Sequence, residues 1–279
     1  GQSDEYVFIP ETTGYYLLDS SDSGSCTIYD SEWNELNPYS YEIYQYAEDT
    51  GFGSSIYLEA GQTYYIHVIS NGDAAEWQIN VLGGNEDYLY RTGKDGTLEI
   101  LKYLGEESHV SIPEFIDGAE VESVGYGAFS ENEQIEEVTI PDTVTALQYG
   151  AFHSCSNLKT VAFAGNSRLQ SIGVSAFEQC SSLQNIDLPD TVEQIKDNAF
   201  YWTALKAVNI SDNITEVGDF AFAQNSSLSE VTLGSGIEGI ERGTFANCES
   251  LVSIEIPDNI TYIGDSAFKD TGLTTVNIP

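Results

Sequence analysis

From residue 124 to the C-terminus the apolar positions follow one template. An Ala-Phe pair, Thr-Phe in one copy, is followed by a polar turn, a Leu, and two apolar residues in alternation. Two more Val or Ile then precede the next Phe. In the last full unit these positions are Phe245, Leu251, Ile254, Ile256, Ile260, Ile263 and Phe268. The pairs begin at Ala128, Ala151, Ala176, Ala199, Ala221, Thr244 and Ala267, so successive spacings are 23, 25, 23, 22, 23 and 23 residues. A fixed period of that length marks a solenoid, in which no unit can bury its apolar face alone and each stacks on its neighbours. The "LxxVxI" segment predicts a strand whose Leu, Val and Ile point inward. The Pro-Asp that often follows predicts a turn, since Pro fixes φ and lacks a ladder donor.

Residues 1 to about 83 have another grammar. Runs such as "EYVFIP", "GYYLLDS", "CTIYD", "SIYLEA", "TYYIHVIS" and "EWQINV" are β-branched and aromatic, separated by Gly, Asn, Asp and Ser clusters. Six or more short strands without helical period predict a small antiparallel β-sandwich. The chain is therefore expected to be mainly β, with a sandwich over 1–83, a linker and solenoid cap over 84–123, and repeats over 124–279.

Charge narrows the partners. The chain holds 45 Asp and Glu against 9 Lys and Arg, a net charge of -36, which repels polyanions at long range, so nucleic acid is not expected as a partner. No stretch approaches the roughly 18 uncharged apolar residues of a membrane span, and no direct membrane insertion is expected. Met is absent, position 1 included, so a leader or anchor is expected to have been removed. The repeats stop in mid-unit at "TTVNIP", and an uncapped end implies that the native protein continues or that another domain covers it.

The copies "QIEEVTIPDTVTALQYGAF", "LKTVAFAGNSRLQSIGVSAF", "LQNIDLPDTVEQIKDNAF", "LKAVNISDNITEVGDFAF", "LSEVTLGSGIEGIERGTF" and "LVSIEIPDNITYIGDSAF" resemble leucine-rich repeats of the BspA-like class. The lead-in "YLYRTGKDGTLEILKYLGEESHVSIPEFIDGAEVESVGYGAF" resembles the N-terminal cap of that class, with a hairpin across "TGKDG" and a degenerate first repeat. In departure from the pattern, the unit entered at Phe163 is two residues longer and lacks Pro, as do "VNIS" and "TLGS". At "YVFIPETTGYYLL" and "SSIYLEAGQTYYIHV" the first half resembles the bacterial pre-peptidase C-terminal family of jelly-roll-like sandwiches.

The repeat resemblance implies a secreted or surface-displayed, non-catalytic bacterial protein. It is expected to be monomeric, without a cofactor, and to adhere to a protein or glycan of the host or of neighbouring cells. Two alternatives are a carbohydrate-binding module using the Tyr-rich first half, and a targeting fragment of a larger secreted hydrolase, because the first half resembles modules appended to secreted peptidases.

The strands are expected to line a concave face whose outward residues are the ligand-binding candidates. These are Glu136, Glu137, Lys159, Thr160, Gln184, Asn185, Asp187, Lys206, Asn209, Glu230, Thr232, Ser253 and Glu255. The face is polar and mildly acidic, without an aromatic anchor. In "NPYSYEIYQY", Tyr39 with Tyr41 and Tyr44 with Tyr46 are two apart, which puts each pair on one strand face. That geometry suits stacking on sugar rings, and it equally suits one face packing a core.

Other recurring residues have plainer readings. Cys155, Cys180 and Cys248 lie three before the repeat Leu, where other units place Asn132, Trp202, Asn225 and Asp270. The slot reads as semi-buried in a turn, with Cys as a small hydrophobe. A Cys155–Cys180 disulfide is conceivable, but side chains stacked in parallel seldom have the geometry. No CxxC or HxxxH spacing indicates a metal. Cys26 is expected to be buried in the sandwich. Asp142, Asp190, Asp212 and Asp258, with Asp197, Asp219 and Asp265, could form carboxylate ladders for Ca²⁺. Turn chemistry gives the same spacing, and "LGSGIEG" drops the Asp without losing phase, which favours the turn. His67, His109 and His153 fall in unrelated contexts with no GxSxG or phosphate-loop motif. Asn209, Asn213, Asn225 and Asn259 lie in N-x-S/T sequons that are incidental to repeat composition.

Overall fold

The structure is a computed structural model describing residues 2–20, 24–36, 39–43, 51–70 and 77–278. Among these residues there is no helix, and the chain divides into two compact units, Gly1–Arg91 and Thr92–Pro279.

In the first unit, strands β1 (Gln2–Phe8), β2 (Gly14–Ser20), β3 (Gly24–Tyr29), β4 (Glu35–Leu36), β5 (Tyr39–Ile43), β6 (Gly51–Leu58), β7 (Tyr64–Ser70) and β8 (Trp77–Val81) build two four-stranded antiparallel sheets. Their orders are β1-β7-β3-β4 and β5-β6-β2-β8. Alternation decides which side chains are buried. Tyr16 and Leu18 of β2 and Ile56 and Leu58 of β6 share one apolar cluster with Ile28 of β3 and Tyr64, Ile66 and Val68 of β7. Phe8, Cys26 and Leu36 pack against it, and Cys26, expected to be buried, is only partly so.

In the second unit the repeats coil. One parallel ladder joins His109–Ser111, Glu137–Ile140 and Thr160–Phe163, and resumes with Ala207–Ile210 beside Glu230–Leu233. A second parallel ladder runs from Leu98–Tyr103 through Ala119–Val124, Ala146–Leu147, Ser171–Ile172 and Gln194–Ile195 to Glu216–Val217. Gly239–Ile240 pairs with Tyr262–Ile263 in the same sense. The strand expected over Leu183–Leu188 does not form, and the coil at Val252–Ile256 keeps a single bridge, Glu255 to Asn277. The first of these interruptions follows the longer Phe163 turn, which closes on itself through Ser167 N–H to Ala164 O at 3.0 Å.

Between the ladders the repeat Phe residues form a spine. Rings of Phe129, Phe152, Phe177, Phe200, Phe222, Phe245 and Phe268 stack at 4.8 to 5.9 Å, tilted by 3 to 18°. Tyr103 stacks on Phe129 at 5.1 Å and starts the column. A third run of backbone bonds holds it, each Phe N–H donating to the next coil's carbonyl, from Phe129 N to Ala151 O at 2.8 Å through Phe245 N to Ala267 O at 2.9 Å. To aim these amides, every coil turns left-handed twice. Two residues before Phe the positive φ falls on Gly127, Gly150, Ser175, Asn198, Phe220, Gly243 and Ser266, and two after on Glu131, Ser154, Gln179, Trp202, Gln224, Asn247 and Asp270.

Candidate functional site

The alternation of the first ladder sets the candidate face. Val138, Val161 and Val208 are buried, so their neighbours must point outward. Glu137 is in register with Thr160, Ala207 with Glu230, and Asn209 with Thr232. Glu137, Lys159, Thr160, Lys206, Asn209, Glu230 and Thr232 are exposed, and Glu136 is half-buried. Gln184, Asn185, Asp187, Ser253 and Glu255 are also exposed, but on the coils where the ladder is interrupted.

The cations of this face are already engaged. Lys159 Nζ donates to Glu136 Oε2 at 2.8 Å, and Lys206 Nζ to Gln184 Oε1 at 2.7 Å. The Lys159 hydrogen bond, and then its charge, hold the Glu136 carboxyl below the usual range. Glu137 and Glu230 carry no such lysine, so the face presents net negative charge. At its first rung Ser108 Oγ lies 2.9 Å from His109 Nδ1, and His109 Nε2 lies 3.5 Å from Glu137 Oε2. The order is that of a nucleophile, base and acid, but the His and Glu side chains are 62% and 54% exposed. Water there competes for every bond that an activated serine depends on.

Tyr39 and Tyr41 lie on β5, in register with Ser55 and Gly53 of β6. Tyr44 and Tyr46 lie outside the described residues. His67 sits on the β7 face opposite Ile66 and Val68, between Glu5 and Thr27 in register.

The cysteine slot differs from its expected character. Cys155, Cys180 and Cys248 are free and fully buried, and each thiol donates to the Phe carbonyl one coil back. These contacts are 3.1 Å to Phe129 O, 3.1 Å to Phe152 O and 3.3 Å to Phe222 O. Asn225 fills the same slot and donates to Phe200 O at 2.8 Å and Phe222 O at 2.9 Å. The slot is therefore a buried donor position, and the Asn225 sequon has no free amide. Burial pushes the Cys155 and Cys248 thiols up to about 12, and that of Cys180 well above the ordinary thiol range.

Trp202 and Asp270 do not belong to this slot. Counting from Phe, the equivalent residues are Thr203, whose hydroxyl bonds Asn225 Oδ1, and Thr271, whose hydroxyl donates to Phe268 O at 2.9 Å. Both coils are one residue shorter between Phe and Leu, so counting back from Leu lands on the left-handed turn residue. Counting forward from Phe recovers the position in all seven coils, although Asn132 is half-buried there and its Oδ1 accepts from Gln134 N at 2.9 Å and Ile135 N at 3.2 Å.

Three of the recurring Asp side chains bond the next coil, Asp219 through its ion pair with Arg242 at 2.9 Å. Asp212 Oδ1 accepts from Ser235 N at 2.7 Å and Ser235 Oγ at 2.9 Å, which holds its carboxyl below the usual range. Asp197 Oδ1 accepts from Asp219 N at 2.8 Å. Among the described residues no three His, Cys, Asp or Glu side chains converge as a metal cage would require. A shallow cleft of about 640 Å³ opens beside the second ladder, lined by Thr145, Arg168, Gln170, Asp190, Thr191, Glu193, Asn213 and Thr215. Arg168 is committed to Glu120 and to the carbonyls of Asp142 and Thr143, which leaves the cleft no free cation of its own.

The family described as BspA type leucine-rich repeat region matches residues 107–226 and 170–279, in six copies. A leucine-rich repeat protein from Bacteroides ovatus is 30% identical over 71% of this chain and 53% of that one, with a TM-score of 0.64. The chain thus spans about half the length of that protein. The T. pallidum leucine-rich repeat protein is 27% identical over 65% of this chain and 85% of that one, with a TM-score of 0.62. No curated protein matches the chain.

Proposed function

Because the chain belongs to the BspA-type leucine-rich repeat family, we propose that its solenoid is a binding surface displayed outside a bacterial cell, with the first ladder as the contact face. The observation that carries this reading is the register of that ladder. Exposed side chains recur at the same height on stacked coils, Glu137 beside Thr160 and Asn209 beside Thr232, on a backbone backed by buried Val and Phe rows. A preformed row of this kind binds an extended partner without ordering itself first. The partner is a protein or glycan of the host or of a neighbouring cell, and its contact is non-catalytic adhesion. The first unit is read as a jelly-roll-like sandwich of the pre-peptidase C-terminal type. Two antiparallel sheets sharing one apolar cluster support that reading.

The test is binding of the full chain to an array of glycans and host matrix proteins, with and without Ca²⁺. A retained protein ligand should lose affinity roughly tenfold or more on Glu137→Lys with Glu230→Lys, and be indifferent to Tyr39→Ala with Tyr41→Ala. A glycan-only hit abolished by the tyrosine changes and untouched by the ladder changes contradicts the reading.

A further inference from the structure

The first unit carries an aromatic site of its own. On the sheet face opposite the apolar cluster, Val7, Tyr65, Tyr29 and Glu35 lie side by side in register across β1, β7, β3 and β4. The indole of Trp33 lies flat on Tyr65, centroids 4.4 Å apart and planes within 11°, and 5.7 Å from Tyr29. One ring face is covered by Tyr65, yet the residue remains 53% exposed. A large ring so exposed leaves its other face open to a partner.

The turn that presents it is tied down. Asp30 Oδ1 accepts from Glu32 N at 2.8 Å and Asn34 N at 2.9 Å, and Asp30 Oδ2 accepts from Asn34 Nδ2 at 2.9 Å. Trp33 N donates to Asp30 O at 3.1 Å, and Trp33 itself is left-handed at φ 64. Glu32 and Glu35 flank it, both exposed.

Charge selects the occupant. Residues 1–83 contain no Lys or Arg, in a chain of net charge -36. The negative face of an indole attracts a cation, guanidinium stacks on it, and the surrounding carboxylates add to the same pull. A neutral sugar ring would stack but gain nothing from that field, and an anionic partner is repelled. We propose that Trp33, Tyr65 and Glu35 form a docking platform for an arginine- or lysine-bearing segment of a basic protein. The platform is built from the first unit and the ladder face from the second, so each can fail without the other.

The test titrates the full chain, at about 0.15 M salt where diffuse attraction is screened, with the peptide Ac-(Gly-Arg)4-NH2 and with cellohexaose as a neutral ring. The peptide should bind and cellohexaose should not. Trp33→Ala should weaken the peptide about five- to thirtyfold, Trp33→Phe less, and Tyr57→Ala, on the other sheet, should leave it unchanged. Glu35→Gln should weaken it a few-fold with the indole intact, and it decides the matter if Trp33→Ala lowers the melting temperature. The proposal is overturned if the peptide does not bind, or if its affinity ignores Trp33 and Glu35 and merely falls with salt. It is equally overturned if cellohexaose binds and loses its site in Trp33→Ala while the peptide does not.

Discussion

Asn225 and the three cysteines that share its slot differ in how much they satisfy. Asn225 makes bonds to two Phe carbonyls, to Ala223 O at 3.3 Å and to the Thr203 hydroxyl, whereas Cys180 makes one through a weak thiol donor. Leaving a buried carbonyl unpaired costs about 1–3 kcal/mol, but Phe152 O, the Cys180 acceptor, keeps the Cys155 N–H at 3.2 Å. Asn225→Ala should therefore destabilise by about 3 kcal/mol and Cys180→Ala by about 1 kcal/mol, measured as shifts in urea midpoint. The thiols also set an alkaline limit. Burial moves Cys155 and Cys248 from 9.0 to about 12, so between those values the unfolded chain holds fewer protons than the folded one. The contribution of these thiols is then constant below pH 9 and falls as pH rises from there toward 12, by about 1.4 kcal/mol per unit for each thiol. Urea titrations at successive pH values should show this slope in the native chain and its reduction in Cys155→Ser with Cys248→Ser. Turn strain is testable at the same scale. Gly127→Ala meets only Ser130 Cβ at 3.6 Å and should cost about 1 kcal/mol of left-handed strain, while Gly243→Ala puts a Cβ 2.1 Å from the Phe220 ring. The second should cost more, and it should displace Phe220 from beneath Arg242, which now lies 5.1 Å from the ring centroid.

Each coil is marginal alone, and the spine is what makes neighbours depend on one another. Phe200 is fully buried between Phe177 and Phe222, at 5.3 and 5.4 Å. Phe200→Ala should cost about 3–5 kcal/mol. Hydrogen exchange should show lost protection in the coils on either side, because contacts in a solenoid reach only to adjacent units. Protection of β1–β8 should not change. This level was the most legible in the sequence. The period of the Ala-Phe pairs gave the coils, and the alternation in "LxxVxI" gave the inward and outward rows. The interruption at Leu183–Leu188 was hidden, because its residues fit the strand template as well as those of their neighbours. What differs is the backbone pairing available after the longer turn, and apolar periodicity does not encode that. The left-handed positions were hidden too, since Gly marks only some of them while Ser, Asn, Phe and Trp occupy the rest. Trp33 was missed for the same reason. Its importance lies in a ring stacked across strands, and only its unusual place among the polar residues of a turn could have signalled it.

At the scale of the molecule, both differently built units carry net negative charge, so both candidate surfaces select against polyanions. The chemistry of the face was legible from alternation alone, as a polar and acidic row. Its engaged lysines were not, because Lys159 with Glu136 and Lys206 with Gln184 pair between successive coils. The central claim is that the first ladder is where a partner binds, and hydrogen exchange of the full chain, with and without a protein ligand retained from the array, tests it most directly. The account predicts slowed exchange at the edges of 137–140, 160–163, 207–210 and 230–233, with the second ladder unchanged. Slowing confined to 2–81, or to the second ladder and its cleft, would contradict it.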